Sequence, residues 1–185
     1  MSLLDRRTLL TLLAPLALAA CGFTPVHAPG GTGDALYGQI TIQAPQDIPS
    51  TSEVDSYLLV QKLEQRLGRT SAGRYQLDLT LGTHDEGQAI TADAQTIRYS
   101  IVGKASYTLT RLSDGKVVSS GDEDAFTGYS AIGSTVETLA GERDAHQRLM
   151  VILADQITTR ILTTVDLSAS SAAESAPPSL LPPPT

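Results

Sequence analysis

Polar and apolar residues alternate along two stretches of this chain in the manner of a strand with one face buried. Tyr75, Leu77, Leu79 and Leu81 take turns with Gln76, Asp78 and Thr80. Ile97, Tyr99, Ile101, Gly103, Ala105, Tyr107 and Leu109 repeat the rule further on. A period of two sends every second side chain to the same face of a sheet. The second run, Ile97 to Arg111, is 15 residues long. At about 3.3 Å per residue that is roughly 50 Å if unbroken, at least twice a common strand, and Gly103 inside it is a candidate bend or bulge. Asp114-Gly115 then supplies a hairpin turn. A return strand starts at Lys116-Val117-Val118 and resumes from Ala125 to Tyr129, across a polar, acidic interval from Gly121 to Asp124. Nearer the N-terminus, Ile40 and Ile42 alternate with Gln39, Thr41 and Gln43 as a short first strand, which Pro45 and Pro49 end.

Two other segments follow the helical period. Leu59, Val60, Leu63 and Leu67 form a stripe behind possible caps at Ser50, Thr51 and Ser52, with Glu53 and Asp55 in the first turn and Gly68 as the stop. Val54, Tyr57 and Leu58 lie partly off that stripe, so the helix has either a wide core face or a second, external contact. A long helix runs from about Ser134 to Thr164, with His146, Met150, Leu153, Ile157 and Ile161 on one face and Leu149 and Ala154 beside it. The order strand, helix, three strands, helix predicts an α+β fold: a four-stranded, mostly antiparallel sheet with two helices packed on one face, joined by a right-handed crossover.

The two ends of the chain follow neither period. Asp5, Arg6 and Arg7 precede an apolar run from Leu9 to Leu18, and Leu18-Ala19-Ala20-Cys21 follows. A charged start, a short apolar run and small residues make a secretory signal. The cysteine directly after two alanines makes it a lipoprotein signal, with cleavage before Cys21 and acylation there; the competing reading is an ordinary buried cysteine. Gly22 in place of aspartate favours the outer membrane of a two-membrane envelope. Arg6-Arg7-Thr8-Leu9-Leu10 also resembles a twin-arginine export signal, so that route and the general one both stay open. The predicted organisation is a signal over 1–20, a lipidated spacer over 21–37, a domain over 38–165 and a disordered tail rich in Pro, Ser and Ala over 166–185.

Composition narrows the function. Cys21 is the sole cysteine, so acylation leaves no thiol for a disulfide, and packing alone must hold the exported domain. The net charge is −7; the signal contributes +1, which leaves the mature chain near −8. Nucleic acid, which requires a basic face, is disfavoured as a partner. No apolar run after Cys21 reaches the roughly 18 residues of a spanning helix, so the reading is anchorage through lipid. His27, His84 and His146 fall in spacer, loop and helix without ligand spacing, and His146 on its apolar stripe reads as a packed histidine. Glu142 and Asp144 flank Arg143 as surface charges. No Gly-rich phosphate loop and no Gly-x-Ser-x-Gly elbow occurs. No metal, cofactor or catalytic residue is therefore predicted.

Residues 97–121 hold Arg98, Lys104, Arg111 and Lys116 against Asp114 alone, a local +3 in an acidic domain. One reading is charge that protects exposed strand edges from aggregation; the other is contact with an anionic ligand. Arg98 and Lys104 share strand parity and Arg111 has the other, so one continuous patch does not follow.

Several stretches together resemble the LptE family of lipopolysaccharide-assembly lipoproteins: Cys21-Gly22-Phe23-Thr24-Pro25-Val26, Arg74-Tyr75-Gln76-Leu77, the hairpin from Tyr107 to Gly121, and Leu139-Ala140-Gly141-Glu142-Arg143-Asp144-Ala145. Leu153-Ala154-Asp155-Gln156-Ile157 and Arg160-Ile161-Leu162 complete the resemblance, which covers most of residues 21–164. It implies a small sheet with two helices on one face and a role without catalysis. Members plug a large outer-membrane barrel (an LptD-like partner), assist its assembly and bind lipopolysaccharide on its way to the cell surface. The resemblance implies that the domain lies on the periplasmic side or in the barrel lumen, with the Asp114-Gly115 tip inserted. Arg98, Lys104, Arg111 and Lys116 are then candidate lipopolysaccharide contacts, with Arg111 and Lys116 chosen for their place beside the tip. The alternatives are an auxiliary lipoprotein of an ABC-type or lipid-shuttling transport system and, disfavoured by the missing nucleophile, an envelope hydrolase.

Overall fold

The computed structural model describes Val26, residues 28–46, Pro49, and residues 52–90 and 96–165. The signal, Cys21 and the tail over 166–185 lie outside the described residues. The elements are α1 (Thr32–Leu36), β1 (Ile40–Ile42), α2 (Glu53–Leu67), β2 (Tyr75–Ile90), β3 (Thr96–Arg111), β4 (Val117–Ser130) and α3 (Thr135–Thr164). The strands form one sheet in the order β1-β2-β3-β4. β1 runs parallel to β2, as a strand joined through a crossover helix can, and the other pairs are antiparallel. The fold is α+β, as the alternation of the chain predicts.

The inward parity is the odd one. Tyr75, Leu77, Leu79 and Leu81 from β2 and Ile101, Ala105, Tyr107 and Leu109 from β3 are buried with Leu59, Leu63 and Leu67 of α2 and Leu149, Leu153, Ile157 and Ile161 of α3. Leu36 of α1 is fully buried in the same core, so the stretch read as spacer includes a short helix packed on the domain.

Gly103 makes no bulge in β3: it pairs in register with Thr83 on one side and Ala125 on the other. The register shifts fall instead at Gly87/Ala89/Ile90 and at Leu109/Thr110. What Gly103 provides is room, because a Cβ there would lie 2.9 Å from Leu149 Cδ2 and 3.2 Å from Leu153 Cδ1. The absent side chain lets α3 settle on the sheet.

β2 outruns its apolar pattern. It continues from Leu81 to Ile90, which places His84 in a strand and not in the predicted loop. β4 is likewise continuous through Gly121 to Asp124. Its inward positions there are polar for local reasons. The Tyr107 ring fills the space beside Gly121, 3.1 Å from where a Cβ would stand, and Glu123 accepts from Arg160 Nε of α3 at 3.1 Å.

α3 starts with a reciprocal cap: Ser134 N donates to Glu137 Oε2 at 2.8 Å, and Glu137 N donates to Ser134 Oγ at 3.3 Å. α2 differs. Ser52 occupies the cap position, but its hydroxyl bonds Thr83 Oγ1 at 3.2 Å and caps nothing. Gly68 ends α2 at φ +81°, where a Cβ would strike Gly38 N at 2.6 Å. The helices run side by side in the same direction, tied near one end by Asp55 to His146 and near the other by Arg66 to Asp155 (Nε–Oδ1 2.6 Å).

The start of β1, the end of α2 and the end of α3 share one end of the sheet. Tyr75 N donates to Gln39 O, Gly38 N to Leu67 O, and the Ser119 and Thr164 hydroxyls bond at 2.8 Å. The β3–β4 turn belongs to this end as well, with Leu112 N donating to Arg74 O at 2.9 Å. The β2–β3 hairpin leads away to the opposite end.

Candidate functional site

Of the four basic residues read as ligand contacts, the structure places two on one sheet face, six residues and about 20 Å apart along β3. Arg98 and Lys104 are exposed on the face of β3 turned away from the helices. Lys104 sits between Gly82 and Asp124 in the ladder, and Arg98 is opposite Ser130 near the far end. Neither forms an ion pair among the described residues. Their neighbours on this face are hydroxylated and acidic residues, Thr80, Ser106, Thr108 and Ser120 with Asp78, Glu86, Asp122 and Asp124, around an exposed Phe126.

Arg111 stands apart. It has the inward parity and is 7% exposed, with Nη1 held 3.2 Å from Asp114 Oδ2 and Nε without a hydrogen-bond partner. Asp114 also accepts from Lys116 N at 3.2 Å, and Arg111 N donates to Lys116 O at 2.8 Å. Arg111 thus braces the turn from inside, and the turn lies close against Arg74. Lys116 is exposed there, at the end of the sheet opposite Arg98. Arg98 and Arg111 are 13 residues apart on one strand, about 43 Å at the usual rise. The four residues do not form one patch.

A polar constellation absent from the sequence reading joins the helices at the other end. Asp55 is 2% exposed; its Oδ2 lies 2.7 Å from His146 Nδ1 and accepts from Thr83 Oγ1 at 3.3 Å. The hydrogen bond to Asp55 holds the imidazole above its ordinary pKa against the opposing effect of burial, and the charges of Asp55, Asp85 and Glu142 act in the same direction. Nearby Tyr99 and Tyr129 stack with centroids 5.4 Å apart and planes 14° from parallel. Burial, with the charges of Asp85 and Glu142 and the neighbouring Tyr99, pushes the Tyr129 phenol up to about 12. His146 is a packed histidine, as its stripe predicts. Its partner is on another helix 91 residues away in sequence, and no local spacing announces it. The acid in the first turn of α2 and the histidine on an apolar face were the two visible halves of the signal.

Among the described residues no group of three or more His, Cys, Asp and Glu side chains is placed to hold a metal ion. No helix among them is long and apolar enough to cross a membrane. The arrangement offers exposed cations on an open sheet face and a polar tie between helices.

Known proteins share this architecture. A protein of Caulobacter crescentus CB15, described as a candidate lipoprotein, is 18% identical, covers 72% of this chain and 95% of its own, and superimposes with a TM-score of 0.56. Lipoprotein B of Nitrosomonas europaea is 9% identical, covers 72% and 88%, and gives 0.51. The rare lipoprotein B of Shewanella oneidensis is 11% identical, covers 74% and 98%, and gives 0.50. At these identities the likeness is one of fold. A search of curated proteins finds no match. The family described as lipopolysaccharide-assembly, LptE, matches residues 37–161, from the end of α1 into the last turns of α3. That span contains the whole sheet and nearly all of both long helices, and the chain belongs to the LptE lipopolysaccharide-assembly family.

Proposed function

We propose that this protein is an outer-membrane lipoprotein, anchored through Cys21, that helps to assemble and plugs the lipopolysaccharide-translocating barrel and binds lipopolysaccharide during its delivery to the cell surface. The family match over residues 37–161 carries the reading; the family is one of assembly and not of catalysis. The exposed, unpaired Arg98 and Lys104 support it, since cations of an acidic domain on an open face suit the phosphates of an anionic lipid. Arg111 leaves the set of contacts in this reading, because its guanidinium is buried in the turn. Lys116 stays a contact only if its end of the sheet reaches ligand. The end inserted in the barrel is the one bearing the β2–β3 hairpin and Arg98, since the Asp114-Gly115 turn packs close to the entry of the chain into the sheet.

The test is photo-crosslinking in intact cells from Arg98 and from Lys116, with the captured partners identified by mass spectrometry. Capture of a large outer-membrane barrel from Arg98 is the expected result. Capture of an inner-membrane transporter instead would point to an auxiliary lipoprotein of an ABC-type system, the competing reading for a small anchored α+β domain.

A further inference from the structure

α3 overshoots α2. Eleven residues of α3 precede His146, but only two of α2 precede the Asp55 that pairs with it. The first turns of α3 therefore have no helix beside them, and a cleft of about 310 Å³ opens where the two diverge. Its walls are Val54, Leu58 and Leu139, with the Asp55–His146 pair within it and Arg143 also lining it. Val54 is 68% exposed, Leu139 is 44% exposed, and Val136, one turn before Leu139, continues the apolar line. This is the second face of α2 that its off-stripe apolar residues left open. Asp55 Oδ2 is turned on His146 Nδ1 and on the Thr83 hydroxyl. Arg143 has no ion-pair partner among the described residues.

We infer that this cleft holds one acyl chain of the lipid that the protein handles, with Arg143 meeting the lipid's anionic group. The inference rests on the lipopolysaccharide reading above. Size and chemistry select a chain over a protein partner. The cleft is at the low end of the roughly 300–1,000 Å³ of small-ligand pockets, mostly apolar with few polar groups. A docked protein would need about 800 Å² of matched surface on each side, and a docked helix a long groove. An unbranched chain needs only a short apolar trough and a place for its head. Glu142 also lines the cleft, and its negative charge acts on His146, so Arg143 is left to serve the ligand.

The experiment is photolabelling of the full chain with a diazirine-bearing lauric acid, followed by peptide mapping. Label should concentrate at Val54, Leu58 and Leu139 and be displaced by purified lipopolysaccharide. Leu139→Asp, at a half-exposed site that leaves the core intact, should lower that labelling about tenfold, the factor given by 1.4 kcal/mol. Arg143→Glu should weaken labelling by the acid but not by the matching neutral alcohol, and Arg143→Lys should restore it. Labelling of Leu139→Asp like wild type, with unchanged thermal unfolding, overturns the cleft whether or not lipopolysaccharide binds. Displacement by phosphatidylglycerol vesicles and not by lipopolysaccharide overturns the assigned lipid. If label maps to the cleft while lipopolysaccharide neither binds nor displaces it, the lipopolysaccharide reading fails and the inference drawn from it fails too.

Discussion

Asp55 Oδ2 and His146 Nδ1 lie 2.7 Å apart and join the first turn of α2 to the middle of α3. The carboxylate is almost wholly buried, and the imidazole keeps part of its surface at the cleft. A buried acid with two hydrogen-bonding neighbours is stabilising only while those neighbours are present.

This pair sets a pH dependence. The folded-state pKa of His146 is raised above the unfolded value, which is about 6.5. The stabilisation is therefore complete below about pH 6.5 and is lost as pH rises through the raised value. Thermal unfolding of the full chain should show a melting temperature that falls across that interval. Asp55→Asn should flatten the fall and, by removing a charged partner of a buried network, cost about 1–3 kcal/mol. A pH profile unchanged in Asp55→Asn would mean that another group governs it.

Leu153 is fully buried against the sheet, whereas its neighbour Ile152 is 37% exposed. Leu153→Ala should cost about 2–5 kcal/mol through lost burial and a residual cavity. Ile152→Ala should stay within about 0.5 kcal/mol. Chemical denaturation of both variants checks the contrast, and similar midpoints would reverse the assignment of the α3 face.

Two glycines on neighbouring strands should part company. Gly103→Ala drives a methyl into Leu149 and Leu153 and should destabilise by about 1–3 kcal/mol. Gly82→Ala points into open space and should be neutral or slightly stabilising. Melting temperatures of the two variants decide.

Arg98 and Lys104 replaced together by glutamate should weaken binding of purified lipopolysaccharide with little change in unfolding, and the wild-type binding should weaken as salt is raised. Arg111→Glu should do the reverse and unfold the protein, because it places an acid next to Asp114 in a buried site. Binding titrations run beside thermal melts separate the two effects.

Intact-mass measurement should find a mature chain beginning at Cys21 and bearing acyl groups. Cys21→Ala should yield an unprocessed chain that fractionates away from the membrane.

The sheet was legible where one face is buried. Tyr75 to Leu81 and Ile97 to Leu109 announce themselves because α2 and α3 cover every second residue. Past Leu81 the inward Thr83 of β2 meets the polar first turn of α2, where Asp55 accepts its hydroxyl, so the residues between Gly82 and Gly87 are polar on both faces and are strand by pairing with β3. Period has nothing to register there. The polar middle of β4 failed for another reason, since Glu123 faces inward to meet Arg160 and an ion pair takes the place of an apolar residue. The basic residues were found as a group, but charge counting could not sort them: parity separates Arg111 from Arg98 and Lys104, and only the turn around Asp114 shows that Arg111 is spent internally. The Asp55–His146 tie needed two helices in place before either residue meant anything.

The start of β1 and the end of α3 lie at the same pole of the sheet. Labels placed at Gly38 or at Val165 would therefore sit at one pole and leave the other clear. A fluorophore pair read from that clear pole, at Glu86 and Ser130 for example, would report on whatever the hairpin end encounters.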